Sequence, residues 1–278
     1  MEAPGICLIK RSRHLFTIQY VLVEPRMTRA PYPEQNYLLA AIPESSKPQI
    51  FKSLKLVELN LGDVVYESDQ PIEFVYFPTN AIVSLLYVML NGASAEISVI
   101  GNEGLVGVSV VLGGSSTPNR AVVQSAGYAF RMPIENLEKE LSISPDLRIL
   151  TLRYTQTLIT QMSQTAVCNR HHSIDQQLCR WLLLSLDRIE GSQLDMAQEL
   201  IANMLGVRRE GVTEAASKLQ KLGVIEYRRG HITVLDRKAV EELSCECYTV
   251  VKRESERLEY WKKSALPGAK VSAGEKVE

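Results

Sequence analysis

The stretch "MAQELIANMLGVRREGVTEAASKLQKLGVI", Met196 to Ile225, constrains this chain more than any other. Apolar residues return at three- and four-residue steps in two runs, and Gly206 between them supplies a tight turn. Asp195 stands where it can cap the first helix. The second runs from about Arg208 to Leu222 and is stopped by Gly223. Leu200, Ile201, Val212, Ala215, Leu219 and Leu222 provide the buried faces, and Ala202 is small where two helices must cross closely. The pattern predicts a helix-turn-helix. Behind it, "VIEYRRGHITVL" places two β-prone runs around Arg229-Gly230, a hairpin of the kind that forms a wing.

Two arginines at the start of a helix are locally unfavourable, because the unpaired N–H groups and the dipole there favour an anion. Duplex DNA supplies one. The second helix of such a motif enters the major groove by its N-terminal residues. Arg209 is therefore assigned to guanine O6/N7, Glu210 to a cytosine N4 amino group, and Thr213 and Glu214 to neighbouring bases or their methyl groups. Arg208, Lys218, Arg228 and Arg229 are the candidates for the phosphate backbone. Charge alone does not carry this reading: from Asp195 to Lys238 there are eight cations against six anions, and the whole chain has a formal net charge of -1. A nucleic-acid surface must be a local patch on this protein.

Upstream the periodicity changes. From Leu54 to Arg131, segments such as "KLVELNLGDVVY" and "FVYFPTNAIVSLLYVML" are rich in Val, Ile, Leu, Tyr and Phe, with turn residues between them. They predict a compact antiparallel roll. Within it "LVGVSVVL" reads as a short helical turn, where such a roll opens to admit a small ligand. After Pro145 the pattern becomes helical. Leu147, Leu150, Tyr154, Leu158 and Gln161 share one face, while Ile149, Leu152, Ile159, Met162 and Ala166 share another, and Ser144 or Asp146 can cap the start. A helix with two apolar faces needs two partners: its own β domain and, most simply, the same helix of a second copy.

The order β-roll, long helix and winged helix-turn-helix, with "LIANMLGVRREGVTEAASKLQKLGVI", resembles the Crp/Fnr superfamily of transcription regulators over roughly residues 38 to 240. The fold class expected is α+β, with an N-terminal antiparallel β-roll of the double-stranded β-helix or jelly-roll type. The organisation expected is an N-terminal extension, 1–33, poorly ordered; a cyclic-nucleotide-binding-like sensor domain, 34–143; a dimerisation helix, 144–172; the winged helix-turn-helix, 173–240; and a C-terminal helix with a disordered tail, 241–278. The resemblance implies a homodimer on a two-fold symmetric double-stranded DNA operator, with RNA polymerase as a candidate further partner. It also implies an effector pocket around Gly107, Val108, Arg120 and Ala121. Family members that bind cyclic AMP carry Gly-Glu and Arg-Ser or Arg-Thr pairs; here Val108 follows Gly107 and Ala121 follows Arg120. A valine cannot accept the ribose hydrogen bond, and an unpaired buried hydroxyl costs on the order of 1–3 kcal/mol. Cyclic AMP is therefore not expected, no cofactor is assigned, and the effector stays open. Arg120 is free to meet another anion or to pair with Glu103.

Five scattered cysteines, Cys7, Cys168, Cys179, Cys245 and Cys247, argue against a disulfide framework and fit a cytoplasmic location. A lone C-x-C at 245–247 lacks the second pair of a zinc site, so it is assigned to helix packing, and no metal is expected. The His171-His172 pair is read as solvent-facing or capping rather than as haem ligands. An iron–sulfur cluster lacks its N-terminal thiolates, since only Cys7 lies there. No phosphate-cradling loop, nucleophile elbow or H-E-x-x-H is present, so no enzyme is expected. No run is long enough to span a membrane, and the apolar run after Lys10 is too short and interrupted for a signal peptide. The rival reading is a β-roll that binds a ligand or protein and signals without touching DNA.

Overall fold

The computed structural model of the chain describes residues 30–264 except 197 and 229, with side chains as far as 257. The expectations for the N-terminal extension up to residue 29, for Arg229 and for the tail after Pro267 lie outside the described residues.

Two antiparallel sheets form the roll. One has the strand order β1-β7-β3, from β1 (Lys55–Leu59), β7 (Gly127–Pro133) and β3 (Phe74–Pro78). The other runs β2-β6-β4-β5, from β2 (Val64–Tyr66), β6 (Arg120–Ser125), β4 (Ile82–Val88) and β5 (Ser94–Ile100). Helices α1 (Tyr37–Ala40) and α2 (Lys47–Phe51) precede them. The predicted helical turn is α3 (Val108–Val111), and α4 (Ile134–Ile143) leads out of the roll. Val75, Phe77, Val83, Leu85, Ile100, Val123 and Met132 meet in the interior. Gly107, which opens α3, has φ 101°, a conformation open to glycine at little cost, and a Cβ there would stand 3.1 Å from Val75 Cγ1.

Strand β4 explains how the roll joins the rest. Its residues are buried from Ile82 to Leu86 instead of alternating with exposed ones. Val83 and Leu85 face the roll interior, while Ile82 belongs with Val99 to a second apolar cluster built around Leu178, Trp181 and Leu182. A sheet covered on both faces loses the in–out alternation that marks a half-solvated strand.

The long helix is α5 (Pro145–His171), and the Ser144 hydroxyl caps it by accepting a hydrogen bond from the Leu147 N–H. Leu147, Leu150, Tyr154, Leu158 and Gln161 are all buried, as their spacing predicts. Burying each leucine contributes roughly 1.5–3 kcal/mol. Tyr154 packs so closely on the roll that a Cβ at Gly104 would lie 2.0 Å from its ring, so only glycine fits there. The second stripe is only partly covered: Met162 packs against the roll core, while Ile149 is 40%, Leu152 45% and Ile159 56% exposed.

Helix α6 (Ile174–Leu186) begins at a capping box of Ser173 and Gln176. It is buried on nearly every side, with the roll on one flank and the C-terminal elements on the other. These are β8 (Gln193–Asp195), α7 (Gln198–Leu205), α8 (Arg209–Lys221), β9 (Ile225–Arg228), β10 (His231–Val234), α9 (Arg237–Leu243) and α10 (Glu246–Ser264), the last packed back along α5. The winged helix-turn-helix is present, with two corrections: Leu222, the C-cap of α8 and expected in the buried face, is 63% exposed, and the role of Asp195 differs. Asp195 does not cap α7; it ends β8, a third strand on the wing in the order β8-β10-β9, and its carboxylate lies 2.6 Å from His231 Nδ1. Three residues are too few for a sequence period, and β8 forms because β10 has a free edge to pair.

Candidate nucleic-acid interface

Helix α8 is fixed from beneath. Val212, Ala215, Ala216 and Leu219 are buried against Leu178, Leu182, Ile201 and Leu205, which leaves the opposite face to solvent. Gly206 makes the turn between α7 and α8 with φ 65°. Arg208 is the N-cap residue, with φ -75° and ψ 147° and no side-chain capping bond, so the first N–H groups of α8 have no partner from their own N-cap side chain. That end is suited to a phosphate oxygen.

Arg208, Arg209, Glu210, Thr213, Glu214, Lys218 and Arg228 are all exposed. Arg209, Thr213 and Ser217 follow one another at four-residue intervals, beside Glu210 and Glu214, so one helix face carries the predicted base-reading set. The Thr213 hydroxyl donates 2.8 Å to Gln198 Oε1 and is 3.0 Å from the Arg209 carbonyl. Gln198 was not singled out from the sequence. Its signal is tertiary, since only the helix crossing brings the first turn of α7 over Thr213.

Two of the backbone candidates carry acidic partners. Lys218 lies 3.2 Å from Asp175 and 3.5 Å from Glu214, and the hydrogen bond and charge of Asp175, then Glu214, raise its pKa. Arg228 pairs with Glu226 at 2.7 Å. At the wing, burial pushes the Asp195 carboxyl up, but hydrogen bonds with His231 and Gln193 outweigh it and hold the group below the usual carboxylate range. Tyr227 braces wing to helix, donating from its hydroxyl to the Met196 carbonyl at 3.1 Å while its N–H donates to Gln220 Oε1.

This geometry coincides with a known domain. Residues 176–243 match the Crp-like helix-turn-helix domain. The chain carries a Crp-like helix-turn-helix domain. The global nitrogen regulator of Synechococcus elongatus is 23% identical over 217 residues, covering 75% of this chain and 97% of that protein. Among solved structures, a Crp/Fnr-family regulator of Eubacterium rectale superposes with a TM-score of 0.60 at 17% identity, covering 76% of this chain and 98% of its own. FixK2 of Bradyrhizobium japonicum gives 0.59 at 17% identity, over 69% and 98%. At such identity these structures speak for the fold alone.

In the roll, Gly107 and Val108 sit at the start of α3 and Arg120 and Ala121 at the start of β6. Ala121 is fully buried, and Arg120 Nε is 2.9 Å from Glu67. Glu103, the partner considered from the sequence, pairs instead with Arg188 at 2.8 Å. No helix of the described residues is long and apolar enough to cross a membrane.

Proposed function

We propose that the protein acts in the cytoplasm as a homodimer that presents two copies of α8 to successive major grooves of a two-fold symmetric operator. The observation that carries this is the pairing of two uncovered surfaces: the base-reading face of α8 and the apolar stripe Ile149, Leu152 and Ile159 on α5. A two-fold axis along α5 buries the stripe and relates the two recognition helices. The half-sites then lie about one helical turn, roughly 34 Å, apart. Arg209 and Glu210 read bases, Thr213 and Glu214 read their neighbours, and Arg208, Arg228, Arg229 and Lys218 meet phosphates. Of these, Lys218 must exchange Asp175 for DNA, so its contribution is the smaller.

The effector is not cyclic AMP on this reading. Val108 offers no carboxylate to a ribose, and Glu67 already neutralises Arg120. Calorimetric titration with cyclic AMP is expected to give no binding heat. Gel shifts against genomic fragments test the DNA reading: a sequence-selective shift, abolished by competitor operator, is expected. Absence of any selective shift, with or without cell extract supplying small-molecule effectors, favours the rival in which the roll signals through a protein partner.

A further inference from the structure

The end of α5 and the start of α10 converge on four side chains. Cys168 and His172 are one helical turn apart on α5 and its C-cap, and Cys245 and Cys247 flank the first residue of α10. Their ligand atoms, three Sγ and one imidazole nitrogen, all lie within 4.8 Å of one another. Cys168 Sγ is 3.5 Å from Cys245 Sγ, and Cys247 Sγ is 3.6 Å from His172 Nδ1. A tetrahedron with Zn–S bonds of about 2.3 Å has edges of about 3.8 Å. The second ligand pair that the C-x-C lacks in sequence is thus supplied by α5, across 77 residues.

We infer that Cys168, His172, Cys245 and Cys247 form a closed, tetrahedral zinc site that clamps α10 onto α5.

The surroundings fit an ion. The three cysteines are buried, and His172 turns its other nitrogen, Nε2, to Glu246 at 3.3 Å. This is the carboxylate–histidine–metal arrangement that fixes the tautomer leaving Nδ1 as the ligand. Three thiolates and one neutral imidazole on Zn²⁺ leave a net charge of -1. The donor set of soft sulfur and imidazole in tetrahedral array selects zinc, and with every position filled by protein the ion holds structure and performs no hydrolysis. Four ligand atoms this close hold one ion and leave no room for a multi-iron cluster. Binding releases the thiol protons and ties the C-terminal helix to the long helix one residue before the recognition domain begins.

The test uses the full chain purified under reducing conditions. Metal analysis is expected to find one zinc per chain, released by a thiol-modifying reagent, and cobalt reconstitution is expected to give tetrahedral d–d bands with thiolate-to-metal charge transfer. Glu246→Gln, which keeps all four ligands, is expected to weaken zinc affinity by about 10- to 100-fold. Cys247→Ser should lose the metal, while Cys179→Ala, outside the cluster, should keep it. A wild-type chain that binds neither zinc nor cobalt at micromolar concentration overturns the assignment. So does a chain that carries iron with visible absorbance, or one that holds a Cys168–Cys245 disulfide in place of metal.

Discussion

Arg188, just past α6, reaches across to Glu103 in the roll and pairs with it at 2.8 Å, both side chains being largely buried. The same guanidinium donates to the Leu184 carbonyl and to Gln161 Oε1 on α5, and Gln161 in turn donates to the Val99 carbonyl. One arginine thereby ties the DNA-binding half, the long helix and the roll together. Removing one member of a buried pair leaves the other charge without compensation. Arg188→Met is expected to destabilise the fold by about 3 kcal/mol in urea unfolding, and adding Glu103→Gln to cost little more, because the two residues act as a unit.

Glu96 sits in the same joint. Its carboxyl is 2.5 Å from the Ser84 hydroxyl, Ser84 is 2.7 Å from Gln124 Oε1, and Gln124 Nε2 donates to Ser185 on α6. Ser84 has one proton and stands between two oxygens, so the chain is satisfied when a protonated Glu96 donates to Ser84 and Ser84 donates to Gln124. Burial agrees, raising the Glu96 pKa from 4.5 to about 7. The folded state then holds this proton more tightly than the unfolded state. Stability is full below pH 4.5 and declines as pH rises through about 7, by on the order of 3 kcal/mol from this group. Glu96→Gln should flatten that part of the stability profile, as read by thermal unfolding between pH 5 and 8; an unchanged slope would count against a buried neutral acid.

Arg209→Ala is expected to relax preference at one base position of each half-site, at a cost of about 1–3 kcal/mol, while Arg208→Ala weakens binding to all sequences and lowers the salt slope by about one. Lys218→Ala should do less than Arg208→Ala, since Asp175 and Glu214 already hold its ammonium. Competition binding at several salt concentrations separates the three. Equal operator selectivity after Arg209→Ala would refute its base-reading role.

Charging the exposed stripe of α5 should split the dimer. Leu152→Glu together with Ile159→Glu leaves the buried face untouched, so each chain is expected to stay folded but to sediment as a monomer and to lose most of its operator affinity. A dimer that survives both changes would place the two-fold contact elsewhere.

The amino-acid sequence determined the elements whose signal is local. α5 is readable from two apolar stripes and a capping serine, and α8 from its spacing between Gly206 and Gly223, because a helix repeats its neighbours every few residues. The same locality put Arg208, Arg209, Glu210, Thr213 and Glu214 on the exposed side of the first two turns of α8, around buried Val212, and put Val108 and Ala121 where the cyclic AMP pattern expects Glu and Ser or Thr. Tertiary structure alone decided what depends on distant partners. Strand β8 exists because β10 offers an edge, and Asp195 serves His231 in place of capping α7. The burial of β4 on both faces, the raised Glu96 pKa and the Arg188–Glu103 tie arise where α6 docks on the roll. Cys168 and Cys245 meet across 77 residues. Such contacts are chosen by packing of faces that no single window of sequence contains, and their chemistry, a raised pKa or a metal-binding quartet, comes into being only when the chain closes on itself.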